Sequence, residues 1–235
     1  MAGPRVAAIG FLWLGVLAGT PAAAQVAAAD PPGPYVIDVR GVTSAIPQDA
    51  GFFPSIPTAT IIPSRGYGID VGAHLYVMRL GSGRLGIGVN MVRVRGTASP
   101  AAPSSGSTPG TPAPATRPDV RAVLTTLVPQ LSYNFGSSEG WSYVSAGLGR
   151  AQLTTGTSAF GETGSDAGGT PARSAVSGTR SSINIGGGAR WFTRAHLAFS
   201  FDVRFHLISS GSAKGATQAT PRATLVAASA GISLR

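Results

Sequence analysis

Few residues of this chain have the type and spacing that chemistry needs. His206 stands three residues before Ser209, and a histidine beside a serine can serve nucleophilic hydrolysis of the kind that lipid A deacylation uses. In a regular strand this spacing places the two side chains on opposite faces, and no carboxylate follows nearby to orient the histidine. The sequence therefore predicts no catalytic residue.

A metal or cofactor site is the second candidate chemistry. His74, Asp202 and His206 are the candidate metal ligands, but nothing in the sequence brings them to ligand spacing. The glycine run 186–188 is similar to a phosphate loop only in composition, because it lies within a strand pattern and opens no helix. We predict neither a metal nor a cofactor.

A polar network is the better explanation of the remaining polar residues. They fall on one face of their segments, and the pairs Asp38/Arg40 and Asp202/Arg204 each stand two residues, or about 7 Å, apart on that face. We expect ion pairs among them inside a polar lumen. The predicted set is Asp38, Arg40, Asp70, His74, Gln130, Asn134, Arg190, Asp202, Arg204 and His206.

The segments that position this set are β-strands. In the segment 196–207, H-L-A-F-S-F-D-V-R-F-H-L, large apolar residues occupy every second position and polar or small residues fill the positions between them. The apolar face would be the inside of a soluble sheet and the lipid-facing outside of a membrane barrel. Eight segments show this strand pattern: 35–46, 66–80, 85–96, 120–135, 142–153, 181–192, 196–207 and 223–235.

The connections between these segments favour the membrane barrel. Their lengths alternate long, short, long, short, long, short, long, as in a barrel with long outer loops and short periplasmic turns. The sequence predicts an all-β fold, an eight-stranded antiparallel up-and-down transmembrane β-barrel with four long outer loops and three short periplasmic turns. An eight-stranded barrel has an interior that side chains fill, so we expect no open pore.

Three local features refine this picture. In 85–96 the apolar residues occupy odd-numbered positions up to Met91 and even-numbered positions at Val92 and Val94, which predicts a β-bulge. Pro129 argues against a central strand at its position. The aromatic residues near the short turns predict an interfacial girdle; they are Trp141, Trp191, Phe135 and Phe192.

The N-terminal sequence predicts export. Residues 1–24 combine Arg5, an apolar run too short to span a bilayer and a small-residue cleavage pattern, so they read as a signal peptide. Residues 25–34 are a flexible lead-in, and 35–235 form the barrel domain. The absence of cysteine excludes a disulfide framework, and the scattered arginines behind the net charge of +9 argue against nucleic acid as a partner.

The chain resembles the small eight-stranded outer-membrane barrels of Gram-negative bacteria, similar to the OmpA and OmpX-like barrel domains. The phrases Y-G-I-D-V-G-A-H-L-Y-V, W-S-Y-V-S-A-G-L-G-R and A-F-S-F-D-V-R-F carry this resemblance, which covers nearly all of the chain after residue 24. It implies a monomer in the bacterial outer membrane, inserted by the barrel assembly machinery. The chain departs from the family at its end, which reads I-S-L-R where an aromatic residue is usual.

The functional prediction is a structural or surface-interaction role without catalysis. Outer-membrane lipid is the expected partner, and lipopolysaccharide is a candidate at Arg93, Arg95 and Arg121, because a cationic rim favours anionic headgroups. Three alternatives stay open: a small channel, a loop-mediated adhesin or receptor, and a lipid A-modifying enzyme. A soluble periplasmic binder would need the apolar faces turned inward.

Overall fold

The structure is a computed structural model, and it describes residues 33–54, 56, 61–99, 119–137, 139–157, 174–212 and 219–235. The predicted signal peptide, most of the lead-in and much of the long connections lie outside these residues. Within the described part, no helix is both long and apolar enough to span a bilayer.

The described residues form nine strands and a short 3-10 helix at Ala50–Phe52. The strands are β1 (Tyr35–Ala45), β2 (Arg65–Leu80), β3 (Gly83–Ala98), β4 (Val120–Ser137), β5 (Gly140–Thr157), β6 (Ser174–Val176), β7 (Arg180–Arg194), β8 (Leu197–Ile208) and β9 (Ala223–Leu234). Their long alternating segments match the period-two pattern that defines strands.

Eight of these strands close into a ring. Neighbours in the chain pair antiparallel, β5 pairs with β7, and β1 pairs with both β2 and β9. The predicted eight-stranded up-and-down barrel is therefore confirmed. The three-residue β6 stands outside the ring and pairs with residues 154–156 of β5, so part of the connection expected from 154 onward is sheet instead.

The barrel has one end with short turns and one end with long connections. The turns β2–β3, β4–β5 and β7–β8 lie at the end where β1 begins and β9 ends, which we call the periplasmic end. Gly81 has a φ of +59° in the first of these turns, a conformation that glycine adopts without strain.

The apolar face points outward. On β8, Phe199, Phe201 and Phe205 are 51%, 42% and 47% exposed, whereas Asp202 and Arg204 are each 1% exposed. All the ring strands carry exposed large apolar residues, so an outward apolar belt surrounds a polar interior. This is the arrangement of a barrel in lipid.

The bulge predicted in β3 is wrong. The register of β3 with β2 and β4 runs without a shift through Met91 and Val92. Val92 and Val94 point into the lumen, where they pack with Val42 and Ala227. The interior is therefore partly apolar, and apolar residues can move from the outer to the inner face of β3 without a bulge. Register shifts occur instead in β2 and β7.

Pro129 lies within β4 despite the expectation against it. It pairs in register with Val89 of β3. The register with β5 is interrupted at this point and continues at Gln130 opposite Gly147. Because proline has no N–H to donate, it is tolerated at a position where the hydrogen bonds between β4 and β5 are interrupted.

Candidate functional site

The polar lumen contains all ten residues of the predicted set. Each is at most 5% exposed. The strands place them there because every second residue points inward. The set draws on β1, β2, β4, β7 and β8, so it connects strands on opposite sides of the barrel.

Asp38 is the most connected carboxylate of the lumen. Arg190 donates to it from Nε (2.8 Å) and Nη2 (2.7 Å), a bidentate pair between β1 and β7. Ser233 donates a third hydrogen bond at 2.5 Å. Arg40 lies 3.6 Å away and His74 Nδ1 4.0 Å away.

Asp70 forms a second centre. Arg40 donates from Nε to its Oδ2 at 3.0 Å, and Ser229 donates to the same oxygen at 2.8 Å. Asn90 donates to Oδ1 at 2.5 Å. Both carboxylate oxygens are thus occupied.

Asp202 forms the third centre. Arg204 donates to its two oxygens at 3.1 and 2.9 Å, and Tyr143 donates at 2.6 Å. Arg204 also donates to Gln130 Oε1, and Gln130 Nε2 lies 2.7 Å from His74 Nε2.

Tyr143 joins these centres into one network. Its hydroxyl accepts from Arg40 Nη1 at 3.0 Å while it donates to Asp202. The guanidinium carbon of Arg190 lies 4.0 Å from the centre of its ring, close enough for a cation–π contact. Three aspartates face three arginines, so the charges of the network balance.

The two predicted same-strand pairs differ in the structure. Asp202 and Arg204 form a direct pair, whereas Asp38 and Arg40 are only at the edge of contact and find their main partners on other strands. Asn134 belongs to the network through Arg190 Nη1 and the Tyr76 hydroxyl, at 3.3 and 3.1 Å.

Sequence reasoning missed several members of the network, among them Tyr143, Asn90, Tyr76, Ser229 and Ser233. Strand parity alone would have found them, since Tyr143 and Asn90 alternate with exposed Val144 and Val89.

Within the described residues, neither the candidate His206/Ser209 pair nor the candidate metal site forms. His206 is buried in the lumen, and neither ring nitrogen has a hydrogen-bond partner there. Ser209 lies past the end of β8 and is half-buried. No group of three or more histidine, cysteine, aspartate or glutamate residues within the described ranges is arranged to hold a metal ion.

Apolar residues fill the lumen on the outer side of the network. Phe52 and Phe53, from the connection after β1, are both 4% exposed and pack among residues of β4, β5, β8 and β9. Thr155 Oγ1 donates to the carbonyl of Phe52 at 3.2 Å.

Aromatic residues fill the periplasmic end. Trp141 is 1% exposed and lies edge-on to Tyr76, with a ring-centre distance of 5.9 Å. Phe192 packs on its other side at 4.6 Å. The expectation that Trp141 and Phe192 belong to the interfacial girdle is therefore wrong, because both side chains point inward. Trp191 and Phe135 are 52% and 40% exposed on the outer surface at this end.

The predicted lipopolysaccharide residues lie together at the outer edge of the belt. Arg93 and Arg95 are exposed and two residues apart on the outer face of β3. Arg121 of β4 pairs with Thr97 and is half-buried. It is therefore the diagonal neighbour of Arg95, at a distance that long side chains bridge.

The fold and its surface define a class of protein. The belt of exposed apolar side chains around a closed antiparallel ring makes this a transmembrane β-barrel. Single-chain barrels of this architecture occupy bacterial outer membranes, which confirms the localisation predicted from the sequence.

Comparison with solved structures finds similar chains at low identity. Neisserial surface protein A (NspA) is 12% identical, with a TM-score of 0.49, and the match covers 85% of this chain and 96% of that chain. The attachment invasion locus protein Ail of Yersinia pestis is 10% identical, with a TM-score of 0.46 and the same coverage. The outer membrane protease OmpT of Escherichia coli is 10% identical, with a TM-score of 0.40, over 73% of this chain and 64% of that chain.

Comparison at the level of sequence is negative. No family model matches the chain, and no curated protein matches it. The closed antiparallel ring and its exposed apolar belt confirm the predicted resemblance to small outer-membrane barrels as one of fold. Function has to be argued from this chain's own residues.

Proposed function

We propose that the protein is a structural barrel of the outer membrane, without catalytic activity, that binds lipopolysaccharide on its β3–β4 face. The observation that carries this proposal is the pair Arg93 and Arg95, exposed on the outer face of β3 where the apolar belt ends. Assembly by the barrel assembly machinery and a monomeric state are part of the same proposal.

The environment of the two arginines suits a phosphate group. Arg93 pairs in register with Ile69, and Arg95 with Tyr67, so an exposed apolar or aromatic residue stands opposite each arginine on the neighbouring strand. Neither arginine has a hydrogen bond or ion pair with a described residue. A guanidinium fork matches the geometry of phosphate oxygens, and an unpaired one at a membrane surface attracts anionic headgroups.

The same sector of the barrel carries further positive charge. Arg65 is exposed at the outer end of β2, and Arg150 is exposed on β5 opposite Leu127 of β4. Arginines on four neighbouring strands give one face of the barrel a cationic outer margin. Such a margin suits a lipid that carries more than one phosphate.

The filled lumen supports a structural role over the channel alternative. The ion-pair network occupies its middle, and apolar side chains occupy both of its ends. A network in which every charge is paired stabilises one arrangement of the strands. Nothing in the described interior favours conduction.

The positions of the histidines support the absence of catalysis. The lipid A-modifying alternative requires His74 or His206 beside a serine and a carboxylate on the lipid face. Both histidines are instead buried inside the barrel, and the lumen carboxylates are paired with arginines.

The test is the lipopolysaccharide that co-purifies with the barrel. We expect the variant Arg93→Gln/Arg95→Gln/Arg121→Gln to bind lipopolysaccharide about 100-fold more weakly than the parent protein, since each surface arginine contributes about 1 kcal/mol to anionic lipid binding. Arg222→Gln, an exposed arginine between β8 and β9 on another face, is the matched control and should retain the parental amount. Equal lipopolysaccharide on all three proteins would refute the proposal.

A further inference from the structure

A groove lies on the lipid-facing surface of the barrel, on the strands next to Arg93 and Arg95. Its walls come from neighbouring strands, and three of its apolar side chains are 53%, 72% and 44% exposed, so it opens to the membrane. Those three are Leu127, Leu148 and Ile183, and the lining also includes Pro129, Arg150 and Ser181.

The groove lies over an irregularity of the sheet. Regular pairing between β4 and β5 stops after Leu127, which stands opposite Arg150, and resumes at Gln130. Pro129 lies within this interruption and has no N–H to donate. On the other side of β5, the residue opposite Arg150 is Ser181 of β7. Its short side chain leaves the groove unfilled between the larger side chains.

The groove has a cationic outer end and an apolar inner end. The outward apolar positions of β5 end at Leu148, and Arg150 is the next outward residue towards the outer end of the strand. Leu148 pairs with Ile183 of β7 one step below Arg150, and Pro129 lies one step below Leu127 on β4. A lipid of the outer leaflet has the same order, with its headgroup at the surface and its acyl chains towards the bilayer centre.

Arg150 has an incomplete environment within the described residues. Its guanidinium is exposed, and no hydrogen bond or ion pair joins it to a described residue. The residues opposite it on the two neighbouring strands are Leu127 and Ser181, neither of which is acidic. An arginine on the lipid face costs less free energy near the membrane surface than at the midplane, and a phosphate oxygen is the ligand that its geometry matches.

From this arrangement we infer that the groove holds an acyl chain of lipopolysaccharide, with a phosphate of the same molecule at Arg150. The inference rests on the proposed function and names the part of the lipid that the barrel contacts besides its headgroup. A concave surface contacts a chain on several sides, so it gains more dispersion energy than the open belt does. Arg93 and Arg95, on the same sector of the barrel, face a second phosphate of such a lipid.

The experiment titrates the purified barrel in detergent with intact lipopolysaccharide and with fully deacylated lipopolysaccharide. Ser181→Phe fills the groove, and we expect it to bind the intact lipid about fivefold more weakly than the parent does. Its affinity for the deacylated form should be parental, because the arginines are unchanged. Thr224→Phe is the matched control, since Thr224 is an exposed hydroxyl residue near the outer end of β9, opposite Leu207. It should match the parent with both ligands.

Arg150→Gln tests the cationic end of the groove separately. We expect this variant to bind both forms of lipopolysaccharide about fivefold more weakly, since one arginine is lost. The compact band on an unheated gel verifies that each variant is folded. If Ser181→Phe does not fold, parental binding by Arg150→Gln is enough to overturn the inference.

Three further results would overturn the inference. They are parental binding of the intact lipid by Ser181→Phe, an equal loss in Thr224→Phe, and a loss in Ser181→Phe that is the same for the deacylated form. Each of them leaves the proposed function standing if the parent binds lipopolysaccharide through Arg93 and Arg95. A parent that binds neither form would refute the proposed function and this inference together.

Discussion

The bidentate pair between Arg190 and Asp38 should be the most sensitive point of the barrel. Replacing Arg190 with Gln removes hydrogen bonds of 2.8 and 2.7 Å and leaves the buried carboxylate without its main counter-charge. Hydrogen bonds to charged groups contribute about 1.5–3 kcal/mol each, and removing one partner of a buried pair costs about 3–5 kcal/mol. Arg40 at 3.6 Å and Ser233 at 2.5 Å still contact Asp38. We therefore expect the free energy of unfolding to fall by about 3 kcal/mol.

The assay is urea unfolding of the barrel in lipid vesicles, followed by tryptophan fluorescence and by the compact band on an unheated gel. Arg194→Gln, at an exposed turn position, is the control and should change the free energy of unfolding by about 0.5 kcal/mol or less. A double-mutant cycle isolates the pair. Asp38→Asn/Arg190→Gln should cost about 2 kcal/mol less than the sum of the two single changes.

The reasoning fails on either of two results. One is a loss of less than about 1 kcal/mol in Arg190→Gln, which would mean that the carboxylate is not buried as the structure has it. The other is additivity of the two changes, which would mean that the side chains do not interact.

Two further predictions concern the close approach of strands and the apolar belt. An added methyl group at Gly68 would lie 1.8 Å from the carbonyl oxygen of Arg93, whereas at Gly41 the nearest atom would lie 3.8 Å away. Gly68→Ala should therefore impair refolding or lower the urea midpoint strongly, and Gly41→Ala should leave it near the parental value; equal effects would contradict the register. Leu131 is 56% exposed within the belt, so Leu131→Arg should destabilise the barrel in vesicles by about 2–4 kcal/mol. Ser82→Arg in the exposed periplasmic turn should be close to neutral, and a neutral Leu131→Arg would show that this surface does not face lipid.

Local periodicity made the architecture predictable. The alternation of side chains in 196–207 defines an apolar face and a polar face without any knowledge of the partner strands. The alternation of long and short connections predicts that consecutive strands are neighbours in the ring. The contact between Asp202 and Arg204 is local too, since both lie on the same face of one strand. These features depend only on the alternation of side chains along a strand, and they can be predicted without knowing how the strands close into a barrel.

The long-range partners could not be predicted in the same way. Asp38 and Arg190 are 152 residues apart in the chain, and their contact depends on the stagger that closes the barrel. The apolar interior was missed for a related reason. Val92 and Val94 require a bulge only if the lumen is polar throughout, but a small barrel also packs apolar side chains inside.

The central claim is that the apolar face of the strands contacts lipid and the polar face does not. The two tryptophans of the barrel report on this directly, because Trp191 is 52% exposed on the outer surface and Trp141 is 1% exposed inside. Trp141→Phe and Trp191→Phe leave one reporter each. In vesicles of phospholipid brominated near the headgroup, we predict strong quenching of Trp191 and little quenching of Trp141. Quenching of Trp141 as strong as that of Trp191, or none of Trp191, would contradict the account.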